Sequence, residues 1–74
     1  MHSSISTHLT IEVEQEDDGR WIAEIIEIPG VMVYAATQQQ AISNVQALAL
    51  RVIADKLEHG EISLGLTSLT FIAA

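Results

Sequence analysis

The sequence predicts a small α+β domain of two layers, in the order β-β-β-α-β. An antiparallel three-stranded meander packs on one long helix and a C-terminal strand closes the sheet. Three observations predict it. Apolar and polar residues alternate strictly from Leu9, two glycine-containing breaks at Asp17-Asp18-Gly19 and Pro29-Gly30 separate further apolar runs, and a helical period opens behind Thr37. With 74 residues the chain is expected to be a single domain, with residues 1–6 as a disordered lead-in that carries no turn or cap signal.

Each element follows from local chemistry. Leu9, Ile11 and Val13 share one side of the first strand, and Thr10, Glu12 and Glu14 the other. Asp17-Asp18-Gly19 suits a three-residue hairpin loop, with Gly19 at the left-handed position after a type I turn. The second strand, expected over 20–28, folds back antiparallel. In that register Trp21, Ala23 and Ile25 join Val13 and Ile11, while Ile22, Ile26 and Ile28 join Glu12 and Glu14, so both faces of the strand are apolar; a two-residue loop would exchange these assignments. Pro29-Gly30 ends it, and the β-branched-rich run 31–36 continues the meander.

Thr37 with Gln40 three positions on has the form of a capping box. Behind it Ala41, Ile42, Val45, Leu48, Ala49, Leu50, Val52, Ile53 and Leu57 sweep an arc of roughly 200°, about twice what one sheet requires. Gly60 after His59 suits a helix end. Residues 68–73 alternate again, with Leu69 and Phe71 on one side, and read as the last strand.

Composition narrows the function. Three Lys+Arg against ten Asp+Glu give a formal net charge of −7, a surface that repels phosphate backbones, so direct nucleic-acid binding is not expected. The absence of cysteine removes disulfides and thiolate metal sites. No apolar run approaches the ~20 residues of a spanning helix, and the N-terminus lacks a signal core, so no membrane is expected and the location is read as cytoplasmic. Apolar residues at 49% and charged residues at 18%, against a usual ~25% charged, leave more apolar side chain than so short a chain can shelter. A homo-oligomer, dimer or tetramer, is the expectation, with Ile22, Ile26, Ile28 and Leu50 as its interface.

Catalytic parts are scarce. Glu12, Glu14, Glu16, Asp17, Asp18, Glu24 and Glu27 cluster on or near the hairpin, and carboxylates facing across strands are how metal-dependent nucleases hold cations. Alternation nevertheless places most of them on the solvent side, and a nuclease built on Glu12, Glu24 and Asp55 is a remote reading. His2, His8 and His59 lack ligand spacing, His59 reading as a helix-end residue. There is no nucleophile elbow and no phosphate-cradling loop. The expectation is a protein without enzymatic activity, cofactor or metal.

The stretch Asp17-Asp18-Gly19-Arg20-Trp21-Ile22-Ala23-Glu24-Ile25-Ile26-Glu27-Ile28-Pro29-Gly30, followed by a strand, a Thr cap and an Ala-rich helix, resembles the HicB family over residues 9–73. The resemblance implies a partial ribonuclease-H-like fold without catalytic carboxylates, acting as the antitoxin of a type II toxin–antitoxin pair. Its partner would be a small basic, mRNA-cleaving protein of the HicA-like kind. Val31 stands where family members often carry Cys, a change that packing absorbs. No residues follow the core for the DNA-binding segment that repressing members append, so operator binding is not expected. On this reading Glu12, Glu14 and Glu24 supply charge complementarity, and Trp21 with the Pro29-Gly30 corner supplies an apolar anchor. The alternative is an orphan self-assembling domain of the same kind.

Overall fold

The computed structural model describes residues 5–60 and 66–74. Strands β1 (Ile5–Gln15), β2 (Trp21–Ile25) and β3 (Met32–Ala35) precede the helix α1 (Gln38–Glu58), and β4 (Leu66–Ala73) follows it. The four strands form one mixed sheet in the order β3-β2-β1-β4. β1 pairs antiparallel with β2, β2 antiparallel with β3, and β4 runs parallel to β1 on the far side. The helix lies on one face of this sheet, against β1, β2 and β3.

The first hairpin forms as its sequence dictates. The Gly19 N–H donates to the Glu16 carbonyl at 2.9 Å, and the Glu16 N–H to the Arg20 carbonyl at 2.7 Å. This is a type I turn closed by Gly19 at φ +92°, a backbone state that strains any side-chain-bearing residue. The turn fixes the register Ile11↔Ile25, Val13↔Ala23 and Gln15↔Trp21. Trp21, Ala23 and Ile25 therefore do share a face with Ile11 and Val13.

The bounds of all four strands differ from those expected. β2 stops at Ile25 rather than Ile28, because two turns follow at once: the Ile28 N–H bonds the Ile25 carbonyl at 3.2 Å and the Val31 N–H bonds the Ile28 carbonyl at 3.1 Å. In the second turn Pro29 and Gly30, with Gly30 at φ +91°, occupy the central positions of a type II turn. The chain reversal carries Ile28 onto the core instead of the Glu12 and Glu14 face. β3 is correspondingly shorter, Met32–Ala35, with Val31 buried at the turn. β1 begins at Ile5, so residues 5 and 6 of the expected lead-in are strand residues paired with β4; residues 1–4 lie outside the described residues. β4 begins at Leu66, two residues ahead of the expected start.

Thr37 caps the helix as expected, its Oγ1 accepting from the Gln40 N–H at 3.1 Å. The reciprocal half of the capping box is absent: the Gln40 amide instead donates to Asn44 Oδ1 at 3.0 Å. At the other end the His59 N–H closes on the Asp55 carbonyl. The core consists of Leu9, Ile11, Ala23, Ile25 and Val31 from the sheet side and Ala41, Val45, Ala49 and Ile53 from the helix. The helical set recurs every four residues and includes two alanines, which let the helix approach the sheet closely. Full burial of a side chain such as Ile25 or Val45 contributes about 2 kcal/mol. The stripe that reaches the sheet is narrower than the apolar arc in the sequence, so Leu50 remains 49% and Leu57 37% exposed. Among the described residues no helix is long and apolar enough to cross a membrane.

Candidate functional site

The helix covers one face of the sheet; among the described residues no element covers the other. Alternation and register place His8, Thr10, Glu12 and Glu14 of β1, Ile22 and Glu24 of β2, Met32 and Tyr34 of β3, and Thr70 and Ile72 of β4 on that open face. Two transverse rows define its chemistry. Glu12, Glu24 and Met32 stand side by side in one; Glu14, Ile22 and Tyr34 in the next. The face is thus acidic on β1 and turns apolar toward β3, with Met32 46% and Tyr34 44% exposed.

Glu12 and Glu24 are directly opposite one another, with Cβ atoms about 5 Å apart, an arrangement of like charges that costs a few tenths of a kcal/mol or more. The chain has three Lys and Arg side chains to answer them. Arg51 and Lys56 belong to the helix on the other side of the sheet. Arg20 is held at the hairpin end, its Nε 2.7 Å from Asp18 Oδ2 and its guanidinium 4.5 Å from the centre of the Tyr34 ring. The backbone N–H of Arg20, and then its guanidinium, hold the Asp18 carboxyl below its usual value. Among the described residues Glu12, Glu14 and Glu24 make no ion pair, because Arg20, the guanidinium on their side of the sheet, is engaged by Asp18.

Glu27 has a different task. Where β2 turns away from β1, its carboxylate accepts from the Thr10 N–H at 2.7 Å and from the Thr10 hydroxyl at 2.7 Å, while the Ile26 N–H donates to the Thr10 carbonyl at 3.1 Å. The side chain stands in for the next residue of a strand. The Thr10 backbone N–H, followed by its hydroxyl, lowers the Glu27 carboxyl from its ordinary value.

The expected interface residues divide between the two faces. Glu12, Glu14 and Glu24 do come together. Trp21 does not join them: it packs, half-buried, against the core on the helix side, since its strand parity is that of Ala23 and Ile25. Pro29 and Gly30 are exposed in the β2–β3 turn, at the end of the sheet away from the first hairpin. Of the four residues expected in an oligomer interface, Ile22 is half-buried on the open face, Ile26 is 49% exposed in the turn beyond it, Ile28 packs on the core and Leu50 is on the helix, so they form no common surface. Met32 and Tyr34 join Ile22 as apolar neighbours of the acidic group, a placement that follows from the β2–β3 register.

The nuclease triad is not assembled. Glu12 and Glu24 lie on the open face, whereas Asp55 lies on the helix beyond the opposite face, its Oδ1 3.3 Å from His59 Nδ1. Among the described residues no group of three or more His, Asp or Glu is placed to hold a metal ion. Compared with known protein families, curated proteins and solved structures, the chain matches none.

Proposed function

We propose that this chain is a non-enzymatic protein-binding module, a HicB-like antitoxin that neutralises a small basic RNA-cleaving toxin, and that its fold is related to a partial ribonuclease-H-like core. The sequence carries the family reading: Trp21-Ile22-Ala23-Glu24 and Pro29-Gly30 behind an acidic-glycine turn. One structural observation carries the mode of binding. The open sheet face sets Glu12, Glu14 and Glu24 beside Ile22, Met32 and Tyr34, and among the described residues none of the three carboxylates has an ion-pair partner. A basic partner relieves the Glu12–Glu24 repulsion while the apolar strip excludes water, and a net charge of −7 steers such a partner to the chain. The toxin's phosphate-attracting surface is then occupied by carboxylates in place of RNA.

The test is the purified chain mixed with a HicA-like toxin in an RNA-cleavage assay. The chain is expected to suppress cleavage stoichiometrically, and a Glu12→Lys/Glu24→Lys chain with an unchanged circular dichroism spectrum to bind more than about tenfold more weakly, a loss of ~1.4 kcal/mol. Unrelieved cleavage with the wild-type chain overturns the reading.

A further inference from the structure

Among the described residues the sheet has three stretches of edge, and two of them are short or capped. β3 is four residues long and so offers little to pair with. The β2-side edge of β1 is short, residues 5–9, and is capped at Thr10 by the charged side chain of Glu27. β4 is different. It is eight residues long, LTSLTFIA, with no charged residue, no proline and no glycine, whereas sheet edges in proteins are usually blunted by charge, proline or shortness. Its threonines, Phe71 and Ile72 are strong strand formers, and this composition in an open strand is a template for pairing.

The direction of its free backbone groups follows from one bond. The Ala74 N–H donates to the Ile11 carbonyl at 2.9 Å, and the ladder from Ser6↔Ser68 to Ile11↔Ala73 contains no register shift. Even-numbered residues of β4 therefore turn their peptide groups to β1, and Leu69, Phe71 and Ala73 turn theirs outward. On the side-chain faces, Ile72 is 43% exposed, and Leu69 and Phe71 are only partly buried at the margin of the core.

We infer that β4 is a homodimer interface: two copies of this chain join their β4 strands antiparallel about a two-fold axis, making one eight-stranded sheet. The charge distribution selects a second copy as the occupant. Copies of a −7 chain repel wherever carboxylates meet, and the acidic hairpin lies beyond the end of β4, which reaches only Ile11 of β1. A basic partner is drawn to the open face, not to a neutral edge. With outward groups on odd residues, antiparallel pairing centres on Thr70, with Leu69 against Phe71 of the other copy, or on Phe71, with Thr70 against Ile72. Both registers set apolar and β-branched side chains opposite one another without a like-charge contact. Each copy has one such edge, so the assembly closes at two.

The inference does not rest on the antitoxin reading, because the open face stays open in the pair. The decisive measurement is the mass of the full chain in solution by sedimentation equilibrium, up to millimolar concentration, beside two lysine variants. The wild-type chain is expected at twice 8.0 kDa. Thr70→Lys, an exposed position on the edge strand, is expected at the monomer mass with an unchanged far-ultraviolet spectrum, and Met32→Lys, which places the same charge on β3, is expected to remain a dimer. Because the chain has no cysteine, a Thr70→Cys/Ile72→Cys chain provides a readout independent of folding losses: an interchain disulfide should form under mild oxidation. A wild-type monomer, a Thr70→Lys dimer, or a doubly substituted chain that forms no interchain disulfide overturns the pairing. A monomer that still silences a toxin overturns the pairing alone.

Discussion

Each face of β2 carries an isoleucine, and the two meet opposite fates. Ile25 is 2% exposed beneath the helix, while Ile22, three residues earlier, stands half-buried between Glu14 and Tyr34 on the open face. Nothing in the side chains distinguishes them; strand parity and the position of one helix do. Apolar character alone therefore does not define a core residue. It identifies a residue that needs cover, and in this chain the fold supplies cover on one side only.

Substitutions on the two faces sharpen or break that comparison. The largest effect is expected for Ile25→Ala, which empties a fully covered site and should cost about 2 to 5 kcal/mol, a large share of the roughly 4 to 11 kcal/mol expected for a domain of this length. Ile22→Ala should cost less than about 1 kcal/mol, since the truncated atoms are already partly in water. Urea denaturation of both variants measures the ratio, and equal losses would mean that the open face is covered in the free protein.

A smaller effect of opposite sign is expected at Glu24. Glu24→Thr removes the like-charge pair with Glu12 and adds a better strand former, so the free chain should gain a few tenths of a kcal/mol while toxin binding weakens. A stabilised chain that binds as well as the wild type would separate the acidic row from function.

The smallest effect is the acid-side slope. The carboxyl of Glu27 is lowered below its ordinary 4.5 by the bonds from Thr10, so the unfolded chain binds more protons than the folded one in that range. The contribution is present above 4.5 and is lost as pH falls through the lowered value. Thermal melts from neutrality down through this range should show a shallower decline for Glu27→Gln than for the wild type. Identical slopes would remove Glu27 from the account of how β1 and β2 part company.

Local chemistry made much of the fold legible. Gly19 had to adopt positive φ, the loop length then set the hairpin register, and parity placed Trp21 with Val13 and Glu12 with Glu14. Thr37 announced the helix start in the same way, because a cap is a bond between neighbours. The acidic half of the candidate site was readable for this reason as well, since alternation along β1 and β2 needs no knowledge of other elements. Its apolar half was legible only at Ile22. Met32 and Tyr34 join the face only through the pairing of β3, and Trp21, amphipathic and beside a turn, carries no mark saying that the helix has claimed it. Ile26 to Ile28 read as more strand because their apolar run is unbroken, yet Pro29-Gly30 and the turn before it fold Ile28 back onto the core. Ile5 and Ser6 became strand residues because β4, some sixty positions away, lies beside them.

By itself the sequence determined the element order, the first hairpin, the helix cap and the excess of acid over base, because each depends on neighbours in the chain or on a sum over it. Only the tertiary structure decided which face the helix covers, that β4 runs parallel to β1 at the sheet edge, and that Glu12, Glu24 and Met32 stand in one row. These are long-range pairings, and a residue's pattern states which side of its own strand it occupies but not what lies against that side.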